Sequence, residues 1–194
     1  VARSDPTALK HKGLTYFYVD MKTPGIEAKP IKQISGSANF NEVFFNDVRI
    51  PDSQRIGAEG DGWKVSLTTL MNERLAVGDP PGLDFDQIFE ASKEIEVEDG
   101  LAVKNSEVRQ KMADWYIQSR GLQYTKYRSM TALSKGQTPG PELSISKLVT
   151  ASKMQDVSSY ALDLMDMSGM VHQDQNPILK NLFQNGYFFS AAMR

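Results

Sequence analysis

Cysteine is absent from the sequence, and histidine occurs only twice, as His11 and His172, far apart in the chain. The first absence excludes a disulfide framework, a thiolate metal site and a cysteine nucleophile. The second argues against a histidine-rich zinc centre. No sign of charge dominates: 22 Lys and Arg stand against 24 Asp and Glu, a formal net charge of −2. That balance excludes a polybasic nucleic-acid arm or an acidic tail as the main feature. No apolar run approaches the ~18 residues that a membrane span needs. What remains is an ordinary globular composition, 40% hydrophobic and 24% charged over 194 residues. Such a chain makes one or two domains with a core large enough to stand without staples, and its simplest location is cytoplasmic. It opens on Val1 without a signal-peptide pattern and closes on Met193-Arg194 straight out of an apolar, aromatic stretch. Both ends read as those of an internal piece of something longer.

Two halves of different kind are visible. Residues 14–19 form a β-branched and aromatic run before a turn at Pro24-Gly25, which predicts a strand. Residues 26–31 carry Pro30 and predict an edge strand or a strand end. Residues 40–45 and 48–50 predict two more strands joined through Asn46-Asp47 and stopped by Pro51. Three or four strands make a thin sheet for an independent domain. From about Gly60 the period becomes helical. Asp61 is a candidate N-cap before Trp63, Leu67, Leu70 and Val77, followed by a strong break at residues 78–82. A shorter helix is predicted over 84–97. A long amphipathic one follows, with Val108, Met112, Trp115, Tyr116, Ser119, Leu122, Met130 and Leu133 on one face, ending at residues 136–141. Thr138 before Pro139, or Gly140 before Pro141, starts the next helix; its inner stripe is Met154, Val157, Ala161, Leu164 and Met165, and Gly169 closes it. Asn176-Pro177 opens a last helix through Phe189. Helices of this length with short loops bury their stripes against each other, most simply as an antiparallel bundle. The fold class is therefore α+β: a partial antiparallel β domain over 1–57, then an antiparallel four-helix bundle-like domain over 58–194.

The helix after Asp61 holds the most informative local pattern. Beside its apolar stripe runs a second stripe of small residues, Gly62, Ser66, Thr69 and Ala76, with Glu73 as the one large and charged member. Small residues admit the close approach of a ligand or a neighbouring backbone. A carboxylate among them would lie in a low-dielectric cavity suited to a general base. Arg74, inside the apolar stripe, needs a partner or an anionic ligand. On pattern alone the simpler reading is a solvated polar face with Arg74 snorkelling to the surface. Residues 57–62 are glycine-rich before a helix N-terminus, which raises phosphate binding. However, they lack the Lys-Ser/Thr of a P-loop and contain Glu59 and Asp61. Lys104, Arg109, Lys111, Arg120, Lys126 and Arg128, interleaved with Tyr116, Tyr124 and Tyr127, read as a solvated face and not a nucleic-acid surface. Met154, Met165, Met167 and Met170 read as adaptable core filler. Neither histidine has a metal-spaced companion, and neither is assigned a catalytic role.

Taken together, Phe40-Asn41-Glu42-Val43-Phe44-Phe45-Asn46-Asp47-Val48-Arg49-Ile50-Pro51, then Gly60-Asp61-Gly62-Trp63-Lys64-Val65, then Glu73-Arg74 and Lys111-Met112-Ala113-Asp114-Trp115-Tyr116, strongly resemble the acyl-CoA dehydrogenase family. The resemblance implies an N-terminal helical domain, a middle β domain and a C-terminal four-helix domain, with FAD between the last two. On that comparison this chain begins partway through the β domain. The implied reaction is α,β-dehydrogenation of an acyl-CoA thioester: a glutamate removes the α-proton while the β-hydrogen leaves as hydride to the flavin. A subset resembling the isovaleryl-CoA and long-chain enzymes keeps that glutamate on the first helix of the C-terminal domain, directly before an Arg. By that match Glu73 is the catalytic base, with Arg74 and Leu70 at the substrate, and the resemblance reverses the reading from pattern alone.

The implied partners are an acyl-CoA substrate, an electron-transfer flavoprotein as acceptor, and further copies of the complete protein in a homo-oligomer. Two departures from the family pattern stand out. Met71 occupies the place of an Asp that touches the nucleotide end of CoA. Residues 95–100 replace the "RxxFG…Q" motif that reaches a neighbouring subunit's FAD. The family's flavin-contacting loop would lie before Val1, so no FAD-binding residue is assigned. The chain alone is expected to be inactive. Two alternatives stay open: a non-catalytic helical scaffold of the same descent, and a flavin-dependent oxidase or hydroxylase on the same fold.

Overall fold

Alternating and aromatic residues in the first part of the chain form short antiparallel strands, and the helical period beyond residue 60 forms helices. The computed structural model describes residues 1–76, 83–137, 140–171 and 178–193. These fall into two compact units, residues 1–75 and 76–194, each described by itself below.

In the first unit, β1 (Ala2–Arg3), β2 (Leu14–Phe17) and β5 (Arg55–Ile56) make a three-stranded antiparallel sheet in the order β1-β2-β5. A second ladder pairs β3 (Ile26–Ile31) with β4 (Phe40–Phe45), in register from Ile26 opposite Phe45 to Ile31 opposite Phe40. Pro30, which has no N–H to donate, lies opposite Asn41 one residue from the end of β3, consistent with the predicted edge strand or strand end. Residues 48–50 are not a strand. Asp47 takes a left-handed backbone, φ 51°, which turns the chain away once Asn46 N–H has closed the ladder on the Gly25 carbonyl at 2.9 Å. Pairing resumes instead in β5, too short to carry a sequence pattern. His11, expected in a loop, sits in a single 3-10 turn and stacks on Trp63 at 5.5 Å.

The first helix, α1 (Gly62–Ala76), closes this unit. Its entry explains the glycines before it. Gly57 and Gly60 take φ of 84° and 83°, a region that L side chains rarely adopt. A Cβ on Gly62 would come within 2.7 Å of the Leu14 carbonyl. The Gly60 N–H donates to Thr15 Oγ1 at 3.1 Å, and Thr15 also shares a 2.6 Å hydrogen bond with Ser4. Tight turning and close packing on β2 thus account for the segment without a phosphate.

The second unit is built on helices. α2 (Phe85–Ser92) begins with a capping box between Asp84 and Gln87, which satisfies otherwise orphaned N–H groups. It stops well short of the predicted 84–97. Ile95 and Val97 favour extended backbone, and Glu98-Asp99 forms a two-residue hairpin turn. The result is a two-strand ribbon of β6 (Glu96–Val97) and β7 (Gly100–Leu101), with Gly100 at φ 113°. Asn105 then caps α3 (Ser106–Ser134), its side chain accepting from the N–H groups of Glu107 and Val108. On α3 the predicted face is only partly inward: Val108, Met112 and Trp115 are buried, while Tyr116 and Met130 are exposed.

α4 (Glu142–Leu164) starts after Gly140-Pro141, the second of the two predicted entries; residues 138 and 139 lie outside those described. Met154, Val157 and Ala161 are fully buried as predicted, and Leu164 and Met165 pack on the same core. The helix ends before Gly169. Asp166, at φ 49°, breaks it, and Gly169 lies buried inside the short α5 (Met167–Met170). α6 (Ile178–Met193) runs one turn beyond the predicted Phe189; its expected cap at Asn176-Pro177, and His172, lie outside the described residues. α4 is the central element, packed on α6, α3 and α2. Trp115 on α3 joins it by an Nε1–H bond to Asp156 at 2.8 Å and by an edge contact with Tyr160. The core is Leu83, Ile88, Ala91, Ala102, Val108, Met112, Trp115, Met154, Val157, Ala161 and Phe183. Among the described residues no helix is long and apolar enough to cross a membrane. Nor is any group of three His, Asp or Glu placed to hold a metal.

Candidate functional site

α1 carries the residues singled out by the sequence. Gly62, Ser66, Thr69 and Glu73 recur at 4-3-4 spacing and so share one face of the helix. The hydroxyls on this face are turned back into the helix: Ser66 donates to the Gly62 carbonyl at 2.7 Å and Thr69 to the Val65 carbonyl at 3.2 Å. The face is therefore smooth and small, and Glu73 is its one projecting group. Glu73 and Leu70 are exposed in this chain, so no cavity surrounds the carboxylate here. The predicted apolar stripe is likewise exposed at Trp63 and Leu67. Arg74 continues the helix backbone, and its side chain lies outside the described residues, as does Val77.

A polar cluster that the sequence reading missed lies in the second unit. Lys153, on α4, has a side chain only 3% exposed, and its ammonium donates to Asp84 Oδ1 at 2.6 Å and to Ser119 Oγ at 2.8 Å. Asp84 also accepts from the Ser119 hydroxyl and from the Phe85 N–H. One carboxylate thus caps α2 and ties it to α3 and α4. Burial pushes the Asp84 carboxyl up, but the bonds from Lys153, Ser119 and Phe85 outweigh it and hold it below the usual carboxylate range. Of this cluster, only the inward position of Lys153 was legible in the sequence. Lys153 lies three residues after Thr150 and four before Val157, on the buried side of α4, and a buried cation needs an acid.

Beside the pair opens a cavity of about 380 Å³ between α2, α3 and α4. Its α3 wall is an ordered ladder: Arg120 lies over the Tyr116 ring at 4.9 Å and donates to Gln123 at 2.7 Å, and Gln123 donates to the Tyr127 hydroxyl at 3.0 Å. The predicted solvated basic face of α3 is therefore partly committed to this wall. At the place of the family's cross-subunit motif stands the β6–β7 ribbon, with Glu96, Glu98 and Asp99 exposed. Such a row of acids does not fit the diphosphate of a flavin dinucleotide, because like charges repel.

Comparison with known proteins places these features. The family model for the acyl-CoA dehydrogenase C-terminal domain matches residues 60–187. The acyl-CoA dehydrogenase FadE34 of Mycobacterium tuberculosis is 35% identical over 173 residues, which is 88% of this chain and 23% of that protein. The acyl-CoA dehydrogenase IpdE1 of Mycolicibacterium smegmatis is 30% identical over 99% of this chain and 47% of its own. The chain thus spans half or less of these curated relatives. A crystal structure of the ChsE4–ChsE5 complex from Mycobacterium tuberculosis shares the fold with a TM-score of 0.76 at 16% identity, over 98% of this chain and 50% of that one. With the family model covering about two-thirds of its length, the strand-helix sequence that ends in Glu73-Arg74 and the bundle that follows belong to a member of the acyl-CoA dehydrogenase family.

Proposed function

We propose that the complete protein carries out FAD-dependent α,β-dehydrogenation of an acyl-CoA thioester, with Glu73 as the base that takes the α-proton. The observation that supports this most directly is the Glu73-Arg74 pair on α1, where Glu73 is the one projecting group on a face of small residues. Such a face lets a flat thioester approach the helix closely, and the carboxylate then meets the α-carbon without steric obstruction. Leu70, one turn before Glu73, offers apolar contact to the acyl chain, and Arg74 balances the charge at the site. A bound flavin would supply the redox chemistry, as acceptor of the β-hydrogen. No flavin contact is assigned to this chain, and the 194 residues alone are proposed to be inactive. In the complete protein we assign an electron-transfer flavoprotein as acceptor, an oligomeric state above the monomer and a cytoplasmic location.

The test is anaerobic mixing of the complete protein and its Glu73→Gln variant with acyl-CoA. Flavin reduction is expected to slow by about 10²–10⁴-fold, the usual contribution of a positioned base, with flavin content unchanged. Near-normal reduction would overturn the assignment. A second reading is favoured by the acidic β6–β7 ribbon alone: a non-catalytic helical scaffold of the same family. Purification of the complete protein without flavin, under conditions where a relative keeps it, would favour that reading.

A further inference from the structure

The outward side of α3 carries a pattern that the proposed dehydrogenation does not use. Glu107, Asp114, Gly121, Arg128 and the C-cap Lys135 recur at seven-residue intervals, and all are exposed. Seven residues are nearly two turns, so these positions follow one seam along the helix. Two acids precede the glycine and two cations follow it. Glu107 and Lys135 suit the helix dipole, which acts within the first and last turn. Asp114 and Arg128, two turns further in, lie beyond its reach. Between them on the same seam are Ile117 and Tyr124, 66% and 61% exposed. The dipole does not account for apolar side chains left in water at the centre of a charged seam.

The seam is complementary to itself when reversed. In an antiparallel second copy that crosses at Gly121, Glu107 meets Lys135 of the partner subunit and Asp114 meets Arg128 of the partner subunit. By symmetry each pair occurs twice. Ile117 and Tyr124 flank the crossing, so apolar contact fills the middle and ion pairs lie at the ends, the usual anatomy of an interface. Gly121 has nothing within 4 Å of where a Cβ would stand, so the midpoint is open to another helix. A parallel copy would set acid against acid and cation against cation, which repel. We propose that α3 is a dimerisation surface whose occupant is a second copy of this chain, laid antiparallel and centred on Gly121. The proposal rests on the oligomeric state assigned above and not on the chemistry at Glu73.

The chain has no cysteine, so a single introduced thiol reports the geometry. Helix axes about 8–10 Å apart, with Cα atoms about 2.3 Å from each axis, bring the two copies of position 121 to about 5 Å, within disulfide reach. The two copies of Gln110, exposed on the same side of α3, then lie about 33 Å apart along the helices. Under mild oxidation of the whole chain, Gly121→Cys is expected to form a covalent dimer and Gln110→Cys is not. In sedimentation velocity, Asp114→Arg and Arg128→Asp are each expected to weaken the dimer about tenfold, because each turns two attractive pairs into repulsive ones. The two substitutions together restore opposite charges and are expected to bring the dissociation constant back to within about threefold of the parent. All these positions are exposed, where substitution leaves the fold intact. Monomers at every concentration would overturn the proposal. Association without the Gly121→Cys cross-link, a cross-link in Gln110→Cys, or no recovery in the exchanged pair would overturn it too, while leaving the assigned oligomeric state to another arrangement.

Discussion

Lys153 and Asp84 share one ion pair but not one environment, and the difference decides what each substitution does. The Lys153 side chain is 3% exposed, whereas that of Asp84 is 51% exposed. Asp84→Asn keeps a competent helix cap but leaves the ammonium buried and unpaired, which is expected to cost about 3 kcal/mol. Lys153→Met leaves a carboxylate that water can reach, and about 1 kcal/mol is expected. Urea unfolding at neutral pH would show the order; equal losses would mean that the pair contributes through packing alone. The folded-state carboxyl of Asp84 titrates below its ordinary value. Its contribution is therefore present above the unfolded value near 3.8 and is lost as pH falls through the lower folded value. Stability is expected to drop in that acid window, and the Asp84→Asn variant to show a flatter profile there. Arg74, by contrast, could be singled out in the sequence as a charge in an apolar stripe, but no spacing rule reveals its partner.

At the scale of elements, two helical glycines make opposite predictions from the same substitution. Gly121, exposed in α3, has nothing within 4 Å of where a Cβ would stand. Gly121→Ala is expected to raise stability by about 0.5–1 kcal/mol, because alanine loses less backbone freedom in a helix. Gly186, buried in α6, would drive its Cβ into the Leu83 side chain and to 2.7 Å from Ser158 Oγ. Overpacking there is expected to outweigh the helical gain, with a net loss of about 1–3 kcal/mol. Thermal melts of the two variants shifting in the same direction would refute the packing account. Periodicity made the long helices legible, since α3 and α4 keep a 3.6-residue pattern over many turns. It failed over residues 84–97, where a two-residue turn at Glu98-Asp99 ends the helical pattern, and over 48–50, where a single left-handed Asp47 overrides β-branched residues.

At the scale of the whole molecule, the β3–β4 ladder presents an unfinished surface. Phe40 and Phe44, which share one face of β4, are 54% and 41% exposed, and exposed apolar area of this kind drives association. The 194-residue chain is expected to self-associate with rising concentration, and replacing Phe40 and Phe44 by Lys is expected to reduce this. Sedimentation velocity checks it; concentration-independent monomers in both would show that this face is not adhesive. The family and the class of fold were determined by the sequence alone, from a run of specific residues before Pro51 and a change of period at Gly60. Glu73 was named as the candidate base by resemblance to the family's Glu-Arg pair. The Asp84–Ser119–Lys153 cluster and the cavity beside it were decided only by the tertiary structure. Their members are separated by 34 to 69 positions along the chain, and no local pattern encodes which buried cation meets which acid until three helices have packed.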